Sequence, residues 1–143
     1  MATKVEEVQR RIEEILAAAG YPHVIEGGRA RVERGSSAVF ISAHEWQERF
    51  VMIELLSPVL DGVAQSEGLM QKVNALNEKL YFGKVYWRSD EVWLAHNLLG
   101  DHLDSDELIA SVGMLAVVAD RIDDELQKRF GGRRWRDAAS PAK

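Results

Sequence analysis

A chain of 143 residues, 46% hydrophobic and 29% charged, has the makings of one globular domain able to bury roughly two thirds of its unfolded surface around a single core. The formal net charge of −5 argues against a nucleic-acid partner, because phosphates are bound through clustered Lys and Arg. The lack of cysteine excludes disulfides, thiolate metal sites and cysteine nucleophiles. No apolar run approaches the ~18 residues of a membrane span and the N-terminus MATKVEEVQRRIEE is charged where a secretion signal is greasy, so a cytoplasmic location with no membrane partner is expected.

In chain order, Thr3 with Glu6 reads as a capping box, and Val5, Val8, Ile12, Ile15, Leu16 and Ala19 follow at helical spacing until Gly20 and Pro22 stop the helix. HVIEGGRARVE predicts two short extended pieces around Gly27 and Gly28, a possible hairpin. Ala38 to Trp46 and Phe50 to Val59 are strand-like runs joined by the polar stretch Gln47 to Arg49, with Pro58 ending the second or placing its last residues at an edge. Ser66 is a fair N-cap for a second helix carrying Leu69, Met70, Val73, Leu76 and Leu80, closed by Gly83. Two aromatic strands follow around a turn of Ser89, Asp90 and Glu91. A last helix begins near Asp104 or Ser105, shows Leu108, Val112, Leu115, Ala119, Ile122 and Leu126 on one stripe, and ends at Gly131 and Gly132. The remainder, RRWRDAASPAK, has no periodicity. The organisation expected is therefore a single domain over residues 1–132 and a flexible basic tail over 133–143. The fold class is α+β, a two-layer sandwich of an antiparallel sheet with helices on one face, in the order α-β-β-β-α-β-β-α.

Three stretches, LNEKLYFGKVYW at Leu76 to Trp87, VWLAHNLLGD at Val92 to Asp101 and DDELQKRFGG at Asp123 to Gly132, occur in this order of elements. Together they resemble the YbjN family and the wider superfamily of type III secretion chaperone-like domains, over about Val5 to Gly132. The resemblance implies a non-enzymatic, chaperone-like module that binds a peptide or protein client along its sheet and first helix, needs no cofactor, and forms a homodimer, with the second helix as the dimer element by analogy. The basic aromatic tail at Arg133 to Arg136 departs from the secretion chaperones, and nothing in the chain identifies a secretion client.

Residue patterning points to a binding face independently. Alternation puts Val39, Ile41 and Ala43 with Val51, Ile53 and Leu55 toward the helices. The other side then carries Phe40, Ser42, His44 and Trp46 with Phe50, Met52, Glu54 and Leu56, more apolar than a water-facing sheet normally shows. Either the second helix or the N-terminal hairpin covers this side, or a dimer partner or client peptide does. Trp87 and Trp93 lie three residues either side of Asp90, so a turn centred there pairs them on one face, and a turn shifted by one residue separates them. The candidate partner-binding residues are thus Phe40, His44, Trp46, Phe50, Met52, Trp87 and Trp93.

For catalysis or metal binding little emerges. His23, His44, His96 and His102 form no His-x-x-x-His pair and stand beside no nucleophile elbow, although His44 and His96 could meet if their strands neighbour. Asp101, His102, Asp104, Asp106 and Glu107 lack calcium-loop spacing and are accounted for by capping, and GGRARVERGSS lacks the spacing of a nucleotide loop. The run Asp120, Asp123, Asp124 and Glu125 reads as a solvated helix face. The reading is a non-enzymatic peptide- or protein-binding module, the alternative a regulatory subunit acting in signalling through a partner protein or small ligand.

Overall fold

Helix starts fall where the hydroxyl and carboxylate caps require. The computed structural model describes residues 1–139, and in it α1 (Lys4–Ala18) opens on Thr3, whose hydroxyl accepts the Glu6 N–H at 3.1 Å and donates to the Glu6 carboxylate. Ser66 likewise caps α2 (Glu67–Lys79) through the Leu69 N–H, and Asp104 caps α3 (Ser105–Phe130) through the amides of Asp106 and Glu107.

Six strands form one antiparallel sheet: β1 (Val24–Glu26), β2 (Arg29–Arg34), β3 (Ser37–Trp46), β4 (Phe50–Asp61), β5 (Lys84–Arg88) and β6 (Glu91–Leu99), in the spatial order β1-β2-β3-β4-β6-β5. The hairpin around Gly27 and Gly28 does form, with both glycines at positive φ, so four strands rather than three precede α2. β4 is central, and Pro58 sits inside it rather than at its end. The register shifts between Pro58 and Leu60, and such a bulge is where a sheet interior tolerates a residue with no N–H.

Helices α1 and α3 lie against one face. Val39, Ile41, Val51, Ile53, Leu55, Val92 and Leu94 meet Ile12 and Leu16 of α1 and Leu108, Val112, Leu115, Ile122 and Leu126 of α3 in one core, each large side chain contributing about 1.5–3 kcal/mol by leaving water. α1 approaches closely at Gly100, where a Cβ would stand 2.9 Å from Val8 Cγ1. α2 packs beside β5, and the Asn77 side-chain amide pairs with both the N–H and the C=O of Val85, occupying part of that outer edge. No helix among the described residues is long and apolar enough to cross a membrane.

Two expectations need correction. The acids of α3 are not all on a solvated face: Asp120 accepts the Ser36 N–H at 2.9 Å, and Asp123, fully buried, accepts the Ser36 hydroxyl at 2.6 Å. The β2–β3 turn is thereby fastened to α3. Residues 133–139 are not a loose tail. Arg133 forms an antiparallel bridge with Asp61, both backbone bonds at 2.8 Å, and a short helix α4 (Trp135–Ala139) follows. Their lack of apolar periodicity reflects a segment held by ion pairs and one ring rather than by an apolar stripe. Residues 140–143 lie outside the described part of the chain.

Candidate functional site

Strand registers decide which side chains share the face away from the helices. Phe40, Ser42, His44 and Trp46 of β3 stand opposite Leu56, Glu54, Met52 and Phe50 of β4. Met52, Glu54 and Pro58 in turn stand opposite Leu99, Asn97 and Trp93 of β6, and Trp93 opposite Tyr86 of β5. A continuous band, Trp46–Phe50–Met52–Leu99, therefore crosses three strands at one end of the sheet. Trp46 keeps 43% and Leu99 58% of its surface exposed, and Phe50 and Met52 are half-buried. The Trp46 and Phe50 rings lie 5.7 Å apart and tilted, with the Arg49 guanidinium over Phe50. Leu99 was not singled out by sequence, although alternation through the Leu98–Leu99 pair requires one of the two to face outward.

Beside the band the face becomes polar. A ring nitrogen of His44 lies 2.8 Å from the Ser42 hydroxyl and its Nε2 is 3.9 Å from the Glu54 carboxylate. Burial pushes the Tyr86 phenol up, with Arg88 opposing. At the mouth of the band, Lys4 pairs with Asp101, whose other oxygen accepts the Val51 N–H. The hydrogen bond from Lys4, reinforced by that amide, holds the Asp101 carboxyl below its ordinary range. Asp101 and Asp104 are thus committed to an ion pair and a helix cap.

The other end of the face is covered, not by α2 but by α4 together with two arginines of the N-terminal hairpin. The Trp135 ring of α4 meets Phe40 edge-on at 6.4 Å, under the Arg31 guanidinium, while Arg29 lies 4.3 Å over the Phe40 ring.

Of the sequence-derived candidates, the structure brings His44, Trp46, Phe50 and Met52 together. Phe40 is on the same face beneath Trp135, and Trp93 is on it farther along, beside Tyr86 and Pro58. Trp87 is not on it. The β5–β6 turn comprises only Ser89 and Asp90, both at positive φ, so Trp87 pairs with Val92 and faces the helices, where its indole N–H donates to the Val63 carbonyl at 2.7 Å. His96 lies opposite Leu55 on the helix side, next to Phe82, and cannot pair with His44; burial pulls its pKa down.

An antiparallel sheet backed by helices on one side and half open on the other defines an α+β sandwich with an accessible sheet face. A family model described as T3SS (YopN, CesT) and YbjN peptide-binding chaperone 1 matches residues 4–138, and the chain belongs to that family. Among solved structures, the crystal structure of the ExsC–ExsE complex contains a chain of the same fold, at TM-score 0.58 and 16% identity over 97% of this chain and 100% of that one. No curated protein matches the sequence.

Proposed function

We propose that the protein is a non-enzymatic, chaperone-like module that holds a peptide or protein segment against the open end of its sheet, with Trp46, Phe50, Met52 and Leu99 as the apolar floor. His44 flanks that floor, and Trp93 extends it toward β5. The observation that carries this reading is the half-exposed apolar band itself: four large side chains left partly in water forgo a part of the about 1.5–3 kcal/mol that full burial of each is worth, and a partner would recover it. Membership of a peptide-binding chaperone family supports it, as does a structural neighbour that was crystallised in the ExsC–ExsE complex. These findings lend no support to the regulatory alternative. We further propose that it works in the cytoplasm as a homodimer. Tyr81 and Phe82, 96% and 63% exposed just beyond α2, supply a second apolar surface for that contact.

A photo-crosslinking amino acid placed at Met52, in the cell that makes the protein, should trap a defined partner that the same probe at Glu13 of α1 does not. Trp46→Asp should abolish the trapping with helicity kept and only a small fall in Tm, because Trp46 is at an exposed strand end and loses chiefly its contact with Phe50. Equal trapping from both positions, or trapping insensitive to Trp46→Asp, would refute the reading.

A further inference from the structure

The covered end of the sheet face shows what kind of segment fits there. α3 ends at Gly131, and Gly131 and Gly132, both at positive φ, turn the chain back over the rim of the sheet. The root of this strap is fixed: Gln127 donates to the Gly132 carbonyl and to Asp137, Arg134 clamps Asp137 and reaches Asp124, and Arg133 pairs with Asp61. Its tip is held differently. Trp135, only half-buried, rests edge-on against Phe40, the Arg136 N–H donates to the Ser36 carbonyl, and the Arg136 guanidinium is 3.6 Å from Glu33.

The seat beneath combines an aromatic floor, Phe40, with an acidic rim of Glu33, Asp61 and Asp124, and Pro58 and Leu60 line a cleft of about 170 Å³ beside it. The strap answers each feature, one aromatic ring between arginines. Beyond the two backbone bonds between Arg133 and Asp61, its hold on the seat is weak for a structural element. A helix of five residues has no stability of its own, and pairs between exposed charges contribute about 0–1 kcal/mol each and are screened by salt. The seat also lies on the same sheet face as the open band, across β3 and β4.

We infer that this seat is a docking subsite for a peptide segment carrying an aromatic residue flanked by arginines, and that residues 133–139 are its occupant in the free chain, a built-in competitor that an incoming segment displaces. That the incoming segment belongs to a client rests on the function proposed above; the existence and chemistry of the seat do not.

The test uses the full-length chain and, as probe, a fluorescein-labelled synthetic peptide copying residues 131–139. Trp135→Ala removes the ring of the built-in occupant, so the peptide should bind that variant about tenfold more tightly than the wild type, the wild-type seat being filled at high effective concentration. Arg133→Glu, which reverses an exposed pair with Asp61, should have the same effect and decides the matter if Trp135→Ala fails to fold. The same peptide with its tryptophan changed to alanine should not bind, and binding of the parent peptide should weaken as salt rises. Equal affinity for wild type and variants, no binding to any of them, or binding by the alanine peptide would overturn the inference. The seat and the open band share no residue, so the two failures are separable: a positive titration here with no trapping at Met52 would sink the client reading alone, and trapping at Met52 with a negative titration would sink the seat alone.

Discussion

Asp123 is the residue whose protonation matters most to the fold. One carboxylate oxygen accepts the Ser36 hydroxyl and the other has no hydrogen-bond partner among the described residues, in a side chain with no exposed surface. Burial, opposed by the Ser36 bond and reinforced by Asp124 and Asp120, pushes its pKa up to about 6. An unfolded Asp titrates near 3.9, so between those values the folded protein binds a proton that the unfolded chain does not. Its contribution to stability is therefore fully present below about pH 4 and lost as the pH rises through 6. Asp101, Glu125 and Asp137 act in the opposite sense, held low by Lys4, Lys72 and Arg134, so the intact protein mixes both trends. Asp123→Asn isolates the first: the variant keeps an acceptor for Ser36 and removes the charge. Its Tm should exceed that of the wild type at pH 8, by about 2–4 °C per kcal/mol, and the advantage should vanish near pH 4. A difference constant across that range in thermal melts would show that the buried charge is not its cause. None of this was legible in the acidic run itself, because whether a helix acid meets solvent or a distant turn depends on a contact 87 residues away.

At the scale of elements, the turns carried what the sequence left open. Helix and strand positions followed from apolar spacing and caps because those signals are local: Thr3, Ser66 and Asp104 cap as their residue types require. The β5–β6 turn hinged on a single residue, and taking Glu91 out of it sends Trp87 and Trp93 to opposite faces. The strap was illegible for a different reason, being held by ion pairs and one ring contact with no periodic signature. The β2–β3 turn makes the cost of a specific contact measurable. Gly35 has φ +54, and a Cβ there would stand 2.1 Å from Asp120 Oδ1, inside the contact that holds Ser36. Gly27 has nearly the same φ, +58, but open space around it. Gly27→Ala should cost about 1 kcal/mol, the price of left-handed backbone alone, and Gly35→Ala clearly more, about 2–3 kcal/mol, in denaturant unfolding. Equal costs would mean that the Asp120 contact yields freely.

For the whole molecule, the decisive property is that, beside scattered exposed side chains such as Val24, Ile25 and Val117, the described residues carry two apolar patches on opposite sides of the sheet. The band from Trp46 to Leu99 lies on the face away from the helices. Tyr81 and Phe82 lie beyond α2 on the helix side, where Phe82 meets His96 edge-on at 5.9 Å and borders a cleft of about 380 Å³ with Leu98, Ala110 and Met114. The apolar character of both sides of β3 and β4 could be read from their alternation, since Phe40, Phe50 and Met52 occupy positions where a solvated strand would carry polar groups. What covers each side could not, because α4 reaches Phe40 only through a chain reversal at Gly131 and Gly132. Two separate surfaces allow self-association and client binding to be uncoupled. If Tyr81 and Phe82 form the dimer contact, light scattering should give twice the 16.1 kDa chain mass for the wild type and for Trp46→Asp, and the single-chain mass for Tyr81→Glu combined with Phe82→Glu. That double variant should still trap its partner from Met52, whereas Trp46→Asp should remain dimeric and trap nothing. Both substituted residues are solvent-facing, so unfolding should not intervene. A monomeric wild type would refute the homodimer, and a dimer dissociated by Trp46→Asp but untouched at Tyr81 and Phe82 would assign the open band to a second copy of the chain instead of a client.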